Sequence, residues 1–276
     1  MRPALCIVLP VLDEASALAE QLRALQGLRS RGARVVVVDG GSQDETLAIA
    51  REHADLALLA PRGRASQMNA GAAACPADVL LFLHADTALP EAADTLIARA
   101  LDQRDWGRFD VRIEGRHPAL RLIAAMMNLR SRLSGVATGD QAVFVRRRVF
   151  ESLGGFAALP LMEDLDLCRR LKRQGPPVCL REQVVTSGRR WEQYGVWRIV
   201  WLMWRLRAAW FFGADAHAHG TVQRLALERH VAQVRQEPAL GLVVRVADLV
   251  TNLRPLGRQF AAPRHGEKSL CRPGPP

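Results

Sequence analysis

The sequence lacks any apolar run of about 18 uncharged residues, so we expect no transmembrane helix. The N-terminus has no charged segment followed by a cleavable apolar stretch, because Leu5–Leu9 runs directly into Pro10, and we expect no signal peptide. Cysteine is scarce, and the five cysteines form no C-x-x-C pair. Cys6, Cys168 and Cys179 lie in apolar segments, which favours buried, reduced thiols. Together these absences predict a cytoplasmic protein.

Lysine is also nearly absent, since Lys172 and Lys268 are the only two, and arginine supplies most of the positive charge. The net charge of +10 is uneven along the chain. Residues 1–115 carry 12 basic and 16 acidic side chains, whereas residues 116–276 carry 26 and 12. A basic second half indicates a polyanionic partner or an anionic membrane surface, unless a GC-rich genome alone produces the bias towards arginine. No nucleic-acid reader motif is recognisable, and we expect no nucleic-acid partner.

The first 90 residues alternate between short apolar runs and helical periodicity. Four runs read as buried strands: Ala4–Leu9, Arg34–Val38, Leu56–Leu59 and Val79–Leu83. Helices are predicted between them, on Leu18, Leu22, Leu25 and Leu28, over Thr46–His53 and over Ala65–Ala74. This order predicts an α/β fold with a doubly wound, mostly parallel sheet, whose ligands bind at the carboxyl ends of the strands.

After residue 105 the pattern changes to a mixture of amphipathic strands and longer helices. The predicted strands are Phe109–Glu114, Ala142–Val145 and Val178–Val185. The predicted helices are Ala119–Leu133, Glu163–Lys172 and residues 194–213. Beyond Ala214 the pattern weakens, with helices over Val222–Val234 and Leu240–Leu253 and a disordered tail from Pro263.

Five of the six tryptophans lie within residues 191–210. Trp197, Trp201 and Trp204 recur at helical spacing and form one stripe, with Arg198 and Arg205 on the adjacent face. Such a stripe suits a helix in a membrane interface, or a lip that receives a lipid-linked acceptor. The alternative, which we favour from the sequence, is a core helix whose arginines reach outward to solvent.

Polar clusters follow the predicted strands and helices. Asp39, before two glycines, can accept hydrogen bonds from a ribose or a base, while Asp44 could instead cap the next helix. Asp86 suits Mg²⁺ or Mn²⁺, or it caps a turn. The Arg62–Gly71 segment places arginines at a helix start, where they bind phosphate unless they are merely solvated. Asp164, with Glu163, either deprotonates a hydroxyl or complements a helix dipole.

In this order the motifs resemble the family-2 glycosyltransferases of the GT-A fold. Over residues 4–213 they are similar to one branch, the radical-SAM/selenodomain-associated transferases linked to arsenosugar biosynthesis. The resemblance is carried by the runs GRASQMNAG, LLFLHADT, RFDVRIEG, TGDQAVFVRR, LPLMEDLDLCRRLKR and TSGRRWEQYG. It implies an inverting transfer from a nucleotide-sugar donor to a small or lipid-like hydroxyl acceptor.

The resemblance also implies roles for individual residues. Asp164, beside Glu163, would be the general base, and Asp86 would bind the divalent metal. The donor side would comprise Pro10, Glu14, Asp39, Gly41, Asp44, Arg64, Asn69, Asp86 and Arg190. The acceptor side would comprise Gly139, Asp140, Gln141 and Trp191. His84 stands where many members carry Asp, and no full Q-x-x-R-W is present, which argues against processive polymer synthesis.

The predicted organisation is a GT-A domain over 1–213, divided into a nucleotide-sugar half (1–115) and an acceptor half (116–213), then a helical extension over 214–276. The protein could also lie at the inner face of the plasma membrane. Alternative functions are a glycosyltransferase for carotenoid acids or polyprenyl phosphate, a nucleotidyltransferase, and a non-catalytic binding module on a degenerate transferase fold.

Overall fold

The fold is described from a computed structural model covering residues 4–211, apart from the side chains of residues 206 and 208–211. The predicted extension over 214–276, with both of its helices and its tail, lies outside these residues, and so does the end of the helix predicted over 194–213. Within residues 4–211, no helix is long and apolar enough to cross a membrane.

The described residues form eight strands and ten α-helices. The strands are β1 (Leu5–Val11), β2 (Arg34–Asp39), β3 (Leu56–Leu59), β4 (Val79–Phe82), β5 (Thr87–Ala88), β6 (Trp106–Glu114), β7 (Phe144–Arg146) and β8 (Val178–Ser187). The helices are α1 (Ala15–Ala24), α2 (Gln26–Ser30), α3 (Thr46–His53), α4 (Arg64–Ala74), α5 (Ala93–Leu101), α6 (Ala119–Ser134), α7 (Arg147–Ser152), α8 (Glu163–Gln174), α9 (Arg189–Tyr194) and α10 (Val196–Phe211). A short 3₁₀ turn spans Gly139–Gln141.

The strands form one sheet in the order β3-β2-β1-β4-β7-β6-β8-β5. Strands β3, β2, β1 and β4 are parallel, whereas β7 runs antiparallel to both of its neighbours. Strand β8 pairs parallel with β6 and antiparallel with β5. The predicted α/β class with a mostly parallel sheet is confirmed. Because β1, β2 and β4 are parallel neighbours, the loops after them open at one edge of the sheet.

Helices cover both faces of the sheet, and β1 shows why. Its side chains alternate, so Ile7 and Leu9 join one core cluster while Cys6 and Val8 join the other. The first cluster includes buried residues of α1, α2, α5 and α6, and the second includes buried residues of α4, α7 and α8. A strand buried on both faces reads as the continuous apolar run seen in the sequence.

The predicted strands of the first half agree with the structure within one or two residues, but other elements were missed. Helices α5 and α7 were not predicted, and β7 begins at Phe144 because Ala142 has a left-handed backbone with φ of 45°. The helix predicted over 194–213 corresponds to α10, which begins two residues later, whereas the short α9 before it was not predicted. Gly195, with φ of 84°, separates α9 from α10, a conformation that glycine adopts without strain.

The prediction that the tryptophan stripe packs into the core is wrong. Trp197, Trp201 and Trp204 are 68%, 53% and 70% exposed. The guanidinium carbon of Arg205 lies 4.6 Å from the ring centroid of Trp201, a cation-π contact. The inward side of α10 carries other residues, among them Val196, which is buried. The stripe therefore faces outward, as an interfacial helix or an acceptor lip would require.

The prediction of unpaired, reduced cysteines is wrong for Cys6. Cys6 on β1 forms a disulfide with Cys75, whose Cα lies 6.4 Å from its own. Both residues are buried, as predicted for Cys6, because Cys75 directly follows α4, which packs over β1. Cys168 is buried and unpaired, and Cys179 is free and partly exposed. The sequence spacing of 69 residues does not reveal the pair, since only the packing of α4 brings the two together.

Gly107 on β6 provides a test of core packing. A Cβ atom there would lie 2.5 Å from Cζ of Phe144 and 2.6 Å from the backbone oxygen of Val178. Neither the buried ring nor the paired strand can move freely, so G107A is expected to lower the free energy of unfolding by about 1–3 kcal/mol. Urea unfolding measures the change.

Gly27 in α2 is the matched control, because a Cβ atom there meets nothing closer than 3.6 Å. G27A is expected to be neutral or to stabilise by up to about 1 kcal/mol, through higher helix propensity. Equal unfolding midpoints for G107A and the unmodified protein would contradict the packing seen around Gly107.

Candidate active site

Asp39, at the carboxyl end of β2, is fully buried, and only one of its two carboxylate oxygens has hydrogen-bond partners among the described residues. Its Oδ1 accepts hydrogen bonds from the backbone N–H groups of Gly41 and Ser42, each at 2.7 Å. Its Oδ2 is buried and has no hydrogen-bond partner among the described residues. A buried acceptor without a donor costs free energy. The position therefore suits an N–H or O–H group of a bound ligand.

The loop after β2 is tied to the start of α1. The backbone N–H of Gln43 donates to Asp13 Oδ1 at 2.8 Å. Asp44 accepts from the backbone N–H of Ala15 at 3.2 Å with one oxygen and from that of Thr46 at 3.0 Å with the other. Both oxygens of Asp44 thus serve the protein, as in the capping alternative, and its donor-binding role stays a prediction.

Gln67 on α4 was not singled out in the sequence, yet it joins the ends of two strands. Its buried side-chain amide donates to the backbone oxygens of Val11 and Val38, both at 2.8 Å. Gly40 packs against this amide: a Cβ atom on Gly40 would lie 3.1 Å from the amide atoms of Gln67. Gln67 therefore sets the spacing of the β1 and β2 ends beside Asp39. The run GRASQMNAG contains it, but nothing in that spacing indicates the contact.

Glu14, at the start of α1, meets two arginines from α9. Its carboxylate oxygens lie 3.5 Å from Arg190 Nη2 and 3.7 Å from Arg189 Nη2. Burial raises the pKa of Glu14, and the charge of Asp86 acts in the same direction. The arginine charges oppose this without cancelling it. The structure thus brings together Glu14, Asp86 and Arg190, three predicted donor-side residues.

His84, which follows β4, pairs with Asp140 of the 3₁₀ turn. Its Nδ1 lies 3.3 Å from Asp140 Oδ1. Burial alone would raise the pKa of Asp140, but the hydrogen bond and charge of His84 hold it below the usual value. The imidazole also packs against Gly139, where a Cβ atom would lie 2.5 Å from Nε2. His84, which stands where many family members carry Asp, therefore pairs with Asp140, a carboxylate predicted on the acceptor side.

Asp164 lies in the first turn of α8 and is held in place by backbone groups. The N–H of Gly139 donates to its Oδ2 at 2.8 Å, and the N–H of Leu165 lies 2.8 Å from its Oδ1. Met162, just before the helix, has a left-handed φ of 66°. The helix start and the 3₁₀ turn thus fix this carboxylate next to Asp140, although 25 residues separate Asp164 from Gly139.

Arg64, at the start of α4, connects these groups electrostatically. Its positive charge acts to lower the pKa of three carboxyl groups, those of Glu14, Asp140 and Glu163, and for Glu14 and Glu163 it opposes the larger effect of burial. Gly63 precedes it with φ of 147°, which lets the chain turn into the helix. We refer to the carboxylates around Arg64 as the acidic cluster, comprising Glu14, Asp86, Asp140, Glu163 and Asp164. The cluster combines groups that can bind a cation or remove a proton with an arginine that can bind phosphate.

Residues 6–152 match the domain described as glycosyl transferase family 2. The chain belongs to this family. The matched region contains the carboxyl ends of β1, β2 and β4 and the side chains that follow them. Asp164 and the arginines of α9 lie beyond it.

Solved glycosyltransferase structures share the fold. The mannosyltransferase PcManGT from Pyrobaculum calidifontis, in complex with GDP-Man and Mn²⁺, has a TM-score of 0.55 at 21% identity, covering 94% of this chain and 82% of its own. TarS 1-349 of S. aureus in complex with UDP-GlcNAc has a TM-score of 0.54 at 17% identity over 67% of this chain. The transferase spans 58% of that TarS fragment. No curated protein matches the sequence significantly.

The remaining predicted site residues of the transferase take structural positions. The side chain of Asn69 exchanges two hydrogen bonds with the backbone of Phe156, each at 2.9 Å. Gln141 is fully buried, and its side chain closes a capping box with Thr138. Trp191 packs partly buried against the core. The binding roles of Asn69, Gln141 and Trp191 stay predictions, as does that of Pro10, which pairs with β2.

Asp86 fits a divalent cation that arrives with a nucleotide. It follows β4 and lies close enough to Glu14 for its charge to raise the pKa of that carboxyl. Among the residues that the structure describes, no group of three His, Cys, Asp or Glu side chains could hold a metal alone. Mg²⁺ and Mn²⁺ often need only one or two carboxylates, since water and phosphate oxygens complete the coordination.

Glu163 gives the transferase a pH-dependent cost in stability. Burial raises its pKa, and the charge of Asp164 adds to the rise. The folded protein therefore keeps this proton to higher pH than the unfolded chain, and the free energy of unfolding falls as pH rises above the ordinary glutamate pKa of 4.5. E163Q is expected to be more stable than the unmodified protein at pH 7, with a smaller difference at pH 4. Urea unfolding at both pH values measures this.

The exposed Glu20 on α1 provides the control, since E20Q should show no such pH dependence. A destabilised E163Q at pH 7, or a difference that is the same at both pH values, would show that Glu163 does not carry this cost.

Proposed function

We propose that the protein transfers a sugar from a nucleotide-sugar donor to a hydroxyl acceptor, with inversion at the anomeric carbon. The observation that carries this is that Asp39 and Asp86 follow neighbouring parallel strands at one edge of the sheet, while Arg64 acts electrostatically both on Glu14, which senses Asp86, and on Glu163, which senses Asp164. The structures of PcManGT with GDP-Man and of TarS with UDP-GlcNAc support a nucleotide-sugar donor.

On the donor side, Asp39 accepts a hydrogen bond from the base or the ribose through Oδ2, which has no partner among the described residues. Glu14 lies next to the nucleoside, and Gly41 lets the backbone approach it. Arg64 and Arg190 bind the diphosphate, because guanidinium groups match phosphate geometry. Glu14 follows β1, Asp39 and Gly41 lie at the end of β2, Arg190 pairs with Glu14, and Arg64 acts on Glu14 through its charge.

Asp86 would hold the Mg²⁺ or Mn²⁺ ion that accompanies the donor. When bound, such a cation neutralises the negative charge that grows on a departing diphosphate. The Mn²⁺ in the PcManGT complex supports the use of a divalent ion. Asp86 is the one predicted metal ligand, because His84 stands where many family members carry Asp, and in the structure His84 pairs with Asp140.

On the acceptor side, the Asp164 carboxylate removes the proton of the attacking hydroxyl. The acceptor oxygen forms a bond to the anomeric carbon as the bond from that carbon to the diphosphate breaks. The nucleoside diphosphate leaves with the electron pair, and the proton stays on Asp164. Gly139 orients the base through its N–H, while Asp140 and Glu163 lie beside it.

Two classes of acceptor have support. The motifs similar to the arsenosugar-associated branch support a small hydroxyl acceptor, and the exposed tryptophans of α10 support a lipid-like one. The same tryptophans and the basic second half support peripheral binding at the cytoplasmic face of a membrane. Carotenoid acids and polyprenyl phosphate belong to the lipid-like class.

A donor screen tests the proposal. Purified full-length protein is incubated with UDP-, GDP-, ADP- and dTDP-sugars, with Mn²⁺, with Mg²⁺ or with EDTA, and released nucleotides are quantified. We expect one donor to yield its nucleoside diphosphate in a metal-dependent manner. Release of pyrophosphate would indicate a nucleotidyltransferase instead. A failure to bind any nucleoside diphosphate in calorimetry with Mn²⁺ would indicate a non-catalytic module.

A further inference from the structure

Two arginines bring buried positive charge next to the proposed base. Arg130 lies on α6, and Arg207 lies on α10. The charge of Asp164 acts on both guanidinium groups, and that of Asp140 acts on Arg207. Helices α6 and α10 thus each direct one arginine toward the acceptor side of the acidic cluster.

The hydrogen-bonding capacity of these arginines is only partly used. Within the part of the chain that the structure describes, Nε and Nη2 of Arg130 and Nε of Arg207 are buried without a partner. Burial lowers the pKa of Arg130 to about 10, and the charge of Arg207 acts in the same direction, while Asp164 offsets only part. A desolvated guanidinium without a partner is costly. An anion between the two would supply the missing acceptors.

The donor diphosphate already has other arginines. The charges with the largest effects on Glu14 are those of Arg190, Asp86, Arg189 and Arg64. Arg130 instead senses Arg207, Asp164, Cys168 and Arg108, all but the last in the second half of the chain. Arg130 and Arg207 therefore belong to the electrostatic surroundings of the base rather than to those of Glu14.

We propose that Arg130 and Arg207 bind an anionic group, a phosphate or a carboxylate, that the acceptor carries close to its reacting hydroxyl. The proposal rests on the proposed function, because it takes Asp164 as the base that faces the acceptor. The two guanidinium forks hold the anion and thereby position the hydroxyl for deprotonation.

The surface beyond Arg207 suits an acceptor with an apolar part. Arg207 lies three residues after Trp204 on α10, so the two adjoin on the helix surface. Trp197, Trp201 and Trp204, with Val200 and Arg205, form an open apolar surface along α10. An anionic group at Arg207 would leave an attached hydrocarbon chain beside this surface.

Binding of model anions to the full-length protein tests the proposal. Calorimetry compares octyl phosphate with octanol, which share the chain, and with inorganic phosphate, which shares the charge. We expect octyl phosphate to bind at least about tenfold tighter than octanol, and R130Q and R207Q each to remove that preference. The matched control is R121Q, an exposed arginine on α6. Inorganic phosphate that competes as well as octyl phosphate would assign the affinity to the charge alone, which also supports the proposal.

The proposal would be overturned by equal binding of octanol and octyl phosphate, by unchanged binding in R130Q and R207Q, or by an equal loss in R121Q. A loss of nucleoside diphosphate binding as large as the loss of octyl phosphate binding would assign the arginines to the donor and also overturn it. Thermal unfolding provides a second readout, because removal of a desolvated, unpartnered cation should leave the melting temperature unchanged or higher. A structural ion pair with Asp164 would instead make R130Q less stable.

The two proposals fail separately. Nucleoside diphosphate release with a neutral hydroxyl acceptor, without arginine-dependent binding of octyl phosphate, would retain glycosyl transfer and reject the anion site. Arginine-dependent binding of octyl phosphate without turnover of any nucleotide sugar would reject the proposed function and leave the anion site.

Discussion

Asp164→Asn is expected to lower the turnover number by about two to four orders of magnitude while donor binding is retained. The amide keeps the size of the side chain and can still accept the hydrogen bond from the Gly139 N–H, but it cannot take the proton of the acceptor hydroxyl. The turnover number comes from nucleoside diphosphate release under saturating donor and acceptor. The donor dissociation constant comes from calorimetry.

Asp166→Asn is the matched control for D164N. Asp166 lies two residues further along α8, where it pairs with Arg170 at 2.8 Å, outside the acidic cluster. D166N should therefore turn over at nearly the normal rate, because Asp166 is not part of the acidic cluster and its partly buried pair with Arg170 does not reach the proposed base. Near-normal turnover in D164N, or an equal loss in D166N, would remove Asp164 as the base.

Asp86→Asn is expected to lower turnover by roughly two orders of magnitude and to raise the Mn²⁺ concentration required for half-maximal activity. The substitution removes the one carboxylate that follows β4, and His84 cannot replace it because its imidazole pairs with Asp140. A titration of activity against free Mn²⁺ measures both effects.

Asp102→Asn, at the exposed end of α5, is the control for D86N and should leave the Mn²⁺ dependence unchanged. If D86N retained full activity with the same Mn²⁺ requirement, Asp86 would have no part in cation binding. If the unmodified protein were fully active in EDTA, the metal proposal would fail as a whole, while the role of Asp164 as base would stand.

The first half of the chain was predictable because its strands are buried on both faces. Such strands need continuous apolar sequence, so β1, β2 and β4 stand out as β-branched and leucine-rich runs. Ligand sites in such sheets lie at the carboxyl ends of strands, which makes Asp39 and Asp86 candidates on sequence position alone. Their order along the chain, with Glu163 and Asp164, is what resembles the family.

The second half was less predictable because its contacts join distant segments. The exposure of the α10 tryptophans depends on which helix face meets the core, and an aromatic stripe at helical spacing is the same for either face. Three contacts depend on packing between elements: the Cys6–Cys75 disulfide, the hydrogen bonds from Gln67 to the ends of β1 and β2, and the pairing of His84 with Asp140. No local pattern encodes these contacts.

The fold class, the family and the set of acidic candidates follow from the amino-acid order alone. Strands buried on both sheet faces need continuous apolar runs, and ligand residues follow the ends of those strands, so both features are visible in the sequence. Which of those candidates act together depends on the folded chain. Charge interactions and hydrogen bonds extend over a few ångströms, and Arg64, Gly139 and Arg207 come within that range of the carboxylates only when the chain is folded.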